Sequence, residues 1–140
     1  MKKIFLLAII MVATKLYSQT ETKSAIINIY NNNKNNNSRQ KTINEISIND
    51  QNVATLNPNS ILVYKFTQTG TLKLTVGSKF VINGILYPVA VTVKNFDVEL
   101  GKEYHVTCKF NPFKGDLIEL ANEKEIAKLK KAKYKETINK

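Results

Sequence analysis

The sequence predicts a mainly β protein, an antiparallel β-sandwich of about seven to nine short strands with one C-terminal α-helix. Three observations favour this fold class. Apolar and polar residues alternate in several short runs, and turn-forming residues separate these runs at a spacing of roughly ten residues. A helical period begins only after residue 121.

The first elements are a strand, a polar tract and a hairpin. Ser24–Tyr30 is rich in β-branched and aromatic residues, which is typical of a strand. Asn31–Asn37 is a low-complexity polar tract, and we expect an exposed, mobile loop there. The alternating runs Glu45–Asn49 and Val53–Leu56 flank the turn residues 49–52, which predicts a hairpin.

Two more hairpins are predicted further along the chain. Ser60–Thr67 and Thr71–Gly77 flank a turn that ends at Gly70, and the strongest turn signal, Asn83-Gly84, stands between two short apolar runs. The remaining predicted strands are Val89–Asn95, Glu103–Phe110 and Asp116–Leu120.

Three strands carry their apolar residues on one face, as an antiparallel sheet with one solvated face requires. We therefore expect these faces to form the core: Leu72, Leu74 and Val76; Val89, Val91 and Val93; Tyr104, Val106, Cys108 and Phe110.

A basic helix is predicted over residues 122–136. Asn122 and Glu125 have the spacing of a capping box, and lysines crowd the last turn, as the helix dipole favours. Ile126, Leu129 and Ala132 give the helix a narrow apolar stripe. We expect it to pack on the sandwich rather than enter its core.

The lysines of this segment are the candidate contact residues for an anionic surface: Lys124, Lys128, Lys131 and Lys135. The whole chain carries a net charge of +10, a balance that favours anionic partners. The alternative is that these lysines form an ordinary solvated helix face.

The N-terminus reads as a secretory signal peptide over residues 1–18. Lys2 and Lys3 precede the unbroken apolar run Ile4–Ala13, which is too short to span a bilayer. We expect cleavage near Ser18–Gln19 and export to the periplasm or beyond the cell, with no transmembrane segment in the mature chain. The mature chain would comprise a flexible leader (19–23), the β-sandwich domain (24–121), the helix and a tail (137–140).

The sequence offers little catalytic chemistry. His105 and Cys108 are the only imidazole and thiol, and three-residue spacing on a strand sends them to opposite faces. We expect Cys108 to be buried in the core and His105 to face solvent. Asp97 and Glu99 are the best candidates for weak metal binding, but a proper cation loop is missing. The prediction is therefore a protein that is not an enzyme and has no metal, cofactor or nucleic-acid partner.

Four stretches resemble a family of small exported bacterial β-sandwich proteins, domain of unknown function 2846, and more weakly the PEGA type. They are A-I-I-N-I-Y from Ala25, I-S-I-N-D-Q-N-V-A-T-L-N-P-N-S from Ile46, T-G-T-L-K-L-T-V from Thr69 and L-G-K-E-Y-H-V-T-C from Leu100. Thr69 stands where the family usually has Pro, and the Asn tract replaces an Arg that often follows the first strand. The resemblance implies the fold and export, and it brings no catalytic residues.

Three functions remain open at this point. The first is a non-catalytic module that binds an envelope protein or an anionic surface polymer. The second is a carrier that holds a small apolar ligand between the sheets. The third is a protein interaction module that uses an exposed edge strand, for which the first strand (Ser24–Tyr30) is the candidate.

Overall fold

The computed structural model describes residues 23–33, 40–111 and 115–137. The predictions for the signal peptide, for most of the leader, for the Asn tract beyond Asn33 and for residues 138–140 lie outside these ranges. The elements are β1 (Ala25–Asn31), β2 (Gln40–Ile48), β3 (Gln51–Leu56), β4 (Ser60–Phe66), β5 (Gly70–Ile82), β6 (Ile85–Val98), β7 (Glu103–Asn111), β8 (Gly115–Leu120), α1 (Glu123–Lys131) and β9 (Lys135–Thr137).

The strands form two sheets that enclose one aliphatic core, which confirms the predicted fold class. The five-stranded sheet has the order β8-β7-β1-β4-β9, and the four-stranded sheet has the order β3-β2-β5-β6. Side chains from both inner faces build the core, and its fully buried members include Ile27, Ile29, Ile46, Leu56, Leu62, Leu72, Leu74 and Val76.

The first strand is central, so the prediction that it is an exposed edge is wrong. β1 pairs antiparallel with β4 and parallel with β7. Ile27 and Ile29 face the core, while Tyr30 on the opposite face is also buried, at 4% exposure. A strand with apolar side chains on both faces is typical of a sheet centre that is covered on both sides.

Two of the three predicted hairpins are confirmed. Asn49 and Asp50 both have positive φ angles (49° and 66°) in the β2–β3 turn. Asn83 and Gly84 also have positive φ angles (50° and 82°) in the β5–β6 turn. Two-residue hairpin turns with positive φ at both central residues match the twist of the flanking strands. The hairpin predicted at Gly70 is wrong, because β4 and β5 belong to different sheets and the segment 67–69 crosses between them.

The core face predicted for the valines of β6 is also wrong. Cross-strand partners lie on the same face of a sheet, and Val93 and Val91 pair with Thr75 and Gly77, not with the buried residues of β5. The register instead aligns buried Leu72 with Phe96. Val91 and Val93 therefore lie on the outer face, and Val89, which lies at a register shift without a partner on β5, is exposed as well. The faces predicted for β5 and β7 are confirmed, since Leu72, Leu74, Val76, Val106 and Cys108 are all buried in the core.

The helix has the predicted capping box at Asn122 and Glu125 but ends at Lys131, five residues before the predicted end. The chain turns back after Ala132, and the Lys135 N–H donates to the Asn59 carbonyl at 3.0 Å. Residues 135–137 thereby join β4 as a parallel edge strand. No helix within the described ranges is both long and apolar enough to cross a membrane.

The first residues of the Asn tract are not an exposed loop as predicted. Asn31 and Asn33 are 0% and 6% exposed. Asn31 Nδ2 donates to the Leu56 carbonyl at 2.9 Å, and the Phe110 N–H donates to Asn33 Oδ1 at 2.7 Å. Their amides satisfy backbone groups inside the fold, which stabilises buried polar side chains.

Candidate functional site

The structure brings three of the four predicted lysines onto one surface. Lys124, Lys128 and Lys131 are exposed, and their spacing of four and three residues places them on one side of α1. Lys135 is exposed as well, but it lies in β9, beyond the helix end. These three lysines therefore lie on one helix face, as the sequence predicts. The prediction that the helix continues through Lys135 is wrong, because the helix ends at Lys131.

A cluster of polar side chains lies where α1 meets the outer face of the five-stranded sheet. We call it the helix-facing cluster, and its members are Asn28, Tyr30, Glu103, His105 and Lys130. Glu103 Oε1 accepts from Asn28 Nδ2 at 2.8 Å and lies 3.2 Å from His105 Nε2. Lys130 Nζ on the helix lies 3.6 Å from Glu103 Oε2.

His105 completes a chain of hydrogen bonds from Glu103 to Tyr30. Its Nδ1 lies 2.9 Å from the Tyr30 hydroxyl oxygen. The Glu103 carboxylate only accepts, so Nε2 carries the ring proton and Nδ1 accepts from the Tyr30 hydroxyl. His105 is 5% exposed, so the prediction that it faces solvent is wrong. The reason is that the Tyr30 ring from the neighbouring strand β1 stacks on the imidazole, with ring centroids 5.8 Å apart, and Tyr134, which follows α1, packs on Tyr30.

Burial sets the protonation of this cluster. Desolvation lowers the pKa of His105 below its ordinary value of 6.5, and the Lys130 charge acts in the same direction, whereas the Glu103 charge opposes it. Burial also raises the pKa of Tyr30, and the nearby Glu103 charge adds to this. The stable form at neutral pH is therefore a neutral imidazole with a protonated phenol.

This arrangement suits a structural clamp better than a reactive site. A nucleophile needs an accessible, activated atom, but the Tyr30 side chain is buried and holds its proton more firmly than a free phenol. The Tyr134 ring packs edge-on against Tyr30, with ring centroids 5.0 Å apart. Cys108 lies in the core, on the opposite face of β7 from His105, so thiol and imidazole cannot act as a pair.

Another surface, formed mainly by β6, is apolar. Among the described residues, seven large apolar side chains are exposed, and six of them lie on β6. We call these six the apolar edge: Ile85, Leu86, Tyr87, Val89, Val91 and Val93. The seventh, Leu120, is on β8, which approaches β6 from the other sheet. Val91 is the most exposed of the set, at 73%.

The position of β6 adds an open strand edge to this surface. β6 is 14 residues long and ends its sheet, and β5 is its pairing partner within the described chain. An unpaired strand edge offers backbone N–H and C=O groups to another strand. β6 contains two charged residues of opposite sign, Lys94 and Asp97, so the strand itself carries no net charge.

Sequence reasoning missed the helix-facing cluster and the apolar edge, although each left a signal. The apolar residues of β1, which are interrupted only by Asn28 between Ala25 and Tyr30, occupy both faces and indicate a strand covered on both sides. The nine residues from Ile85 to Val93 contain no charge, which is unusual for a strand with one solvated face. Pattern alone did not reveal which face of β6 turns outward.

The described residues also form grooves. One of about 310 Å³ lies between α1 and the sheet and is lined by Thr107, Glu119, Lys128 and Leu129 among others. Another of about 240 Å³ lies at the ends of β2 and β4, where strands of the two sheets meet at one end of the sandwich. Within the described ranges, no three His, Cys, Asp or Glu side chains come close enough together to hold a metal ion.

Comparisons with protein-family models, curated proteins and solved structures returned no match for this chain. The resemblance to domain of unknown function 2846 therefore stays a prediction.

Proposed function

We propose that this protein is a non-catalytic, exported β-sandwich module that acts by contact, and that the apolar edge on β6 is its contact site. The observation that carries the proposal is the concentration of exposed apolar side chains on one strand with an open edge. Exposed apolar patches of this kind are typical of interaction sites. The N-terminal signal pattern supports export.

The occupant that fits this site is an extended protein segment. Strand addition to a sheet edge uses the backbone groups of β6, and its alternate side chains supply apolar contacts. A free anionic polymer would find little on β6 to bind, since the strand has one Lys and one Asp.

A second candidate function is specific to the helix. Lys124, Lys128 and Lys131 share one exposed side of α1 and could contact an anionic surface. The carrier hypothesis has less support, because one described groove lies outside the sandwich beside α1, and the other, at the end of the sandwich, is lined mostly by polar residues.

A capture experiment separates these functions. The processed protein is immobilised, envelope fractions are passed over it at low and high salt, and three proteins are compared: wild type, Val91→Lys, and a variant with Lys124, Lys128, Lys131 and Lys135 all changed to Gln. Strand addition predicts capture that resists salt and is lost in Val91→Lys. Capture that is lost at high salt and also lost in the variant without the four lysines would support the helix surface instead. Capture unaffected by either variant would contradict both.

A further inference from the structure

We infer that the extended segment that docks on β6 is β6 of a second copy of this chain, paired antiparallel and centred on Val91. This inference deepens the proposed function, because it uses the same contact site and names its occupant. The two four-stranded sheets would join edge to edge into one eight-stranded sheet, a size within the ordinary range for open sheets.

The side-chain pattern of β6 favours this pairing. Antiparallel pairing centred on Val91 places Val91 opposite the partner's Val91, and Val89 opposite the partner's Val93. Cross-strand pairs of β-branched residues are favourable. Val91 and Val93 are already on the solvent face of the sheet, so pairing would bring the valines of two copies together on that face.

The charge distribution of the chain also favours this pairing. The chain carries a net charge of +10, and +7 without the three lysines of residues 1–18, so most contacts between two copies bring like charges together. β6 is an exception, because Lys94 and Asp97 balance. Pairing centred on Val91 sets Lys94 opposite the partner's Pro88 and Asp97 opposite the partner's Ile85. No like charges therefore face each other directly.

The edge of β6 is also weakly protected against self-pairing around Val91. Edge strands usually avoid self-pairing by being short or by carrying charges, prolines or bulges. β6 is long, and its two protective features, Pro88 and the register shift that leaves Val89 without a partner on β5, both lie before Ala90 and Val91. The stretch from Val89 to Val93 contains neither a charge nor a proline.

Sedimentation analysis over a concentration series tests the inference on protein purified after export. We expect a reversible dimer that persists at high salt. Val91→Lys puts two lysines opposite each other and should weaken the dimer by at least about tenfold. Thr55→Lys is the matched control, because it adds the same charge to an exposed position of β3, the other edge of the same sheet, and should leave the dimer unchanged.

Cysteine cross-linking tests the register. In the proposed pairing, Val91→Cys brings two cysteines about 4.5–5.5 Å apart at their Cα atoms, which a disulfide bridges. Val93→Cys leaves them offset by four residues, about 13 Å along the strand, which is too far. Rapid cross-linking of Val91→Cys but not of Val93→Cys supports the register, and equal cross-linking of both overturns it.

A monomer at all concentrations overturns self-pairing, as does a dimer that Val91→Lys leaves intact. The two proposals fail separately. If wild type is monomeric but still captures an envelope protein through β6, the contact site stands and only the second copy is ruled out.

Discussion

The Tyr30 hydroxyl is hydrogen-bonded to the His105 imidazole beneath the C-terminal helix, with 2.9 Å between the hydroxyl oxygen and Nδ1, although the two residues are 75 positions apart in the sequence. The parallel pairing of β1 with β7 makes this contact possible, because it aligns Asn28 with His105 and Tyr30 with Thr107. The only histidine of the chain is thus committed to holding the covered face of the sheet together.

The first prediction concerns pH. Burial lowers the pKa of His105 in the folded state below 6.5, so the unfolded chain takes up the proton first. The stabilisation is therefore complete above pH 6.5 and is lost as the pH falls through the folded-state pKa. The charged and titratable groups around the ring are Glu103, Lys130, Tyr30 and, beyond Tyr30, Tyr134.

Urea unfolding at a series of pH values checks this. The free energy of unfolding of wild type should fall more steeply below pH 6.5 than that of His105→Gln, which keeps a polar side chain but cannot titrate there. Carboxylates titrate in both proteins, so the difference between the two curves isolates His105. Parallel curves would refute the prediction.

The second prediction concerns the Tyr30 hydroxyl. Tyr30→Phe retains the ring contact with Tyr134 but leaves the buried Nδ1 of His105 without its donor. We expect a loss of about 1–2 kcal/mol in the free energy of unfolding. The control is Tyr87→Phe, whose side chain is half exposed and whose change should stay within about 0.5 kcal/mol. Equal losses in the two variants would mean that the hydrogen bond contributes nothing.

The third prediction concerns a polar pair inside the sandwich. Ser78 Oγ donates to Asn44 Oδ1 at 2.8 Å, while Asn44 Nδ2 is buried and has no hydrogen-bond partner among the described residues. Ser78→Ala alone should destabilise by about 1 kcal/mol, because it removes the donor to a buried oxygen. Changing both residues, Asn44→Val with Ser78→Ala, should cost less than the sum of the single changes. A double-mutant cycle measures this coupling, and additive effects would contradict it.

The fourth prediction concerns Cys108. Its side chain is 1% exposed within the core, so DTNB should label it only as fast as the protein unfolds. The control is Cys108→Ala combined with Lys109→Cys, which moves the thiol to the neighbouring exposed position and should react at once in the folded protein. Rapid labelling of native wild type would show that Cys108 is accessible.

The sequence by itself determined the local features of this protein. Asn49-Asp50 and Asn83-Gly84 form tight turns because their residues tolerate positive φ angles. Asn122 and Glu125 cap the helix because their side chains reach neighbouring backbone groups. Alternation on β5 and β7 defined a core face, since a strand sends successive side chains to opposite sides. These properties depend on residues that are close in the sequence, so the sequence alone predicts them.

Only the tertiary structure decided which strands are neighbours and which second faces are covered. β1 is central and not an edge because β4 and β7 pair with it from distant parts of the chain. His105 is buried because the Tyr30 ring from β1 stacks on the imidazole. Val91 is exposed because the register with β5 turns it outward. Alternation shows that a strand has two faces, but pairing and packing between distant segments determine which face meets water.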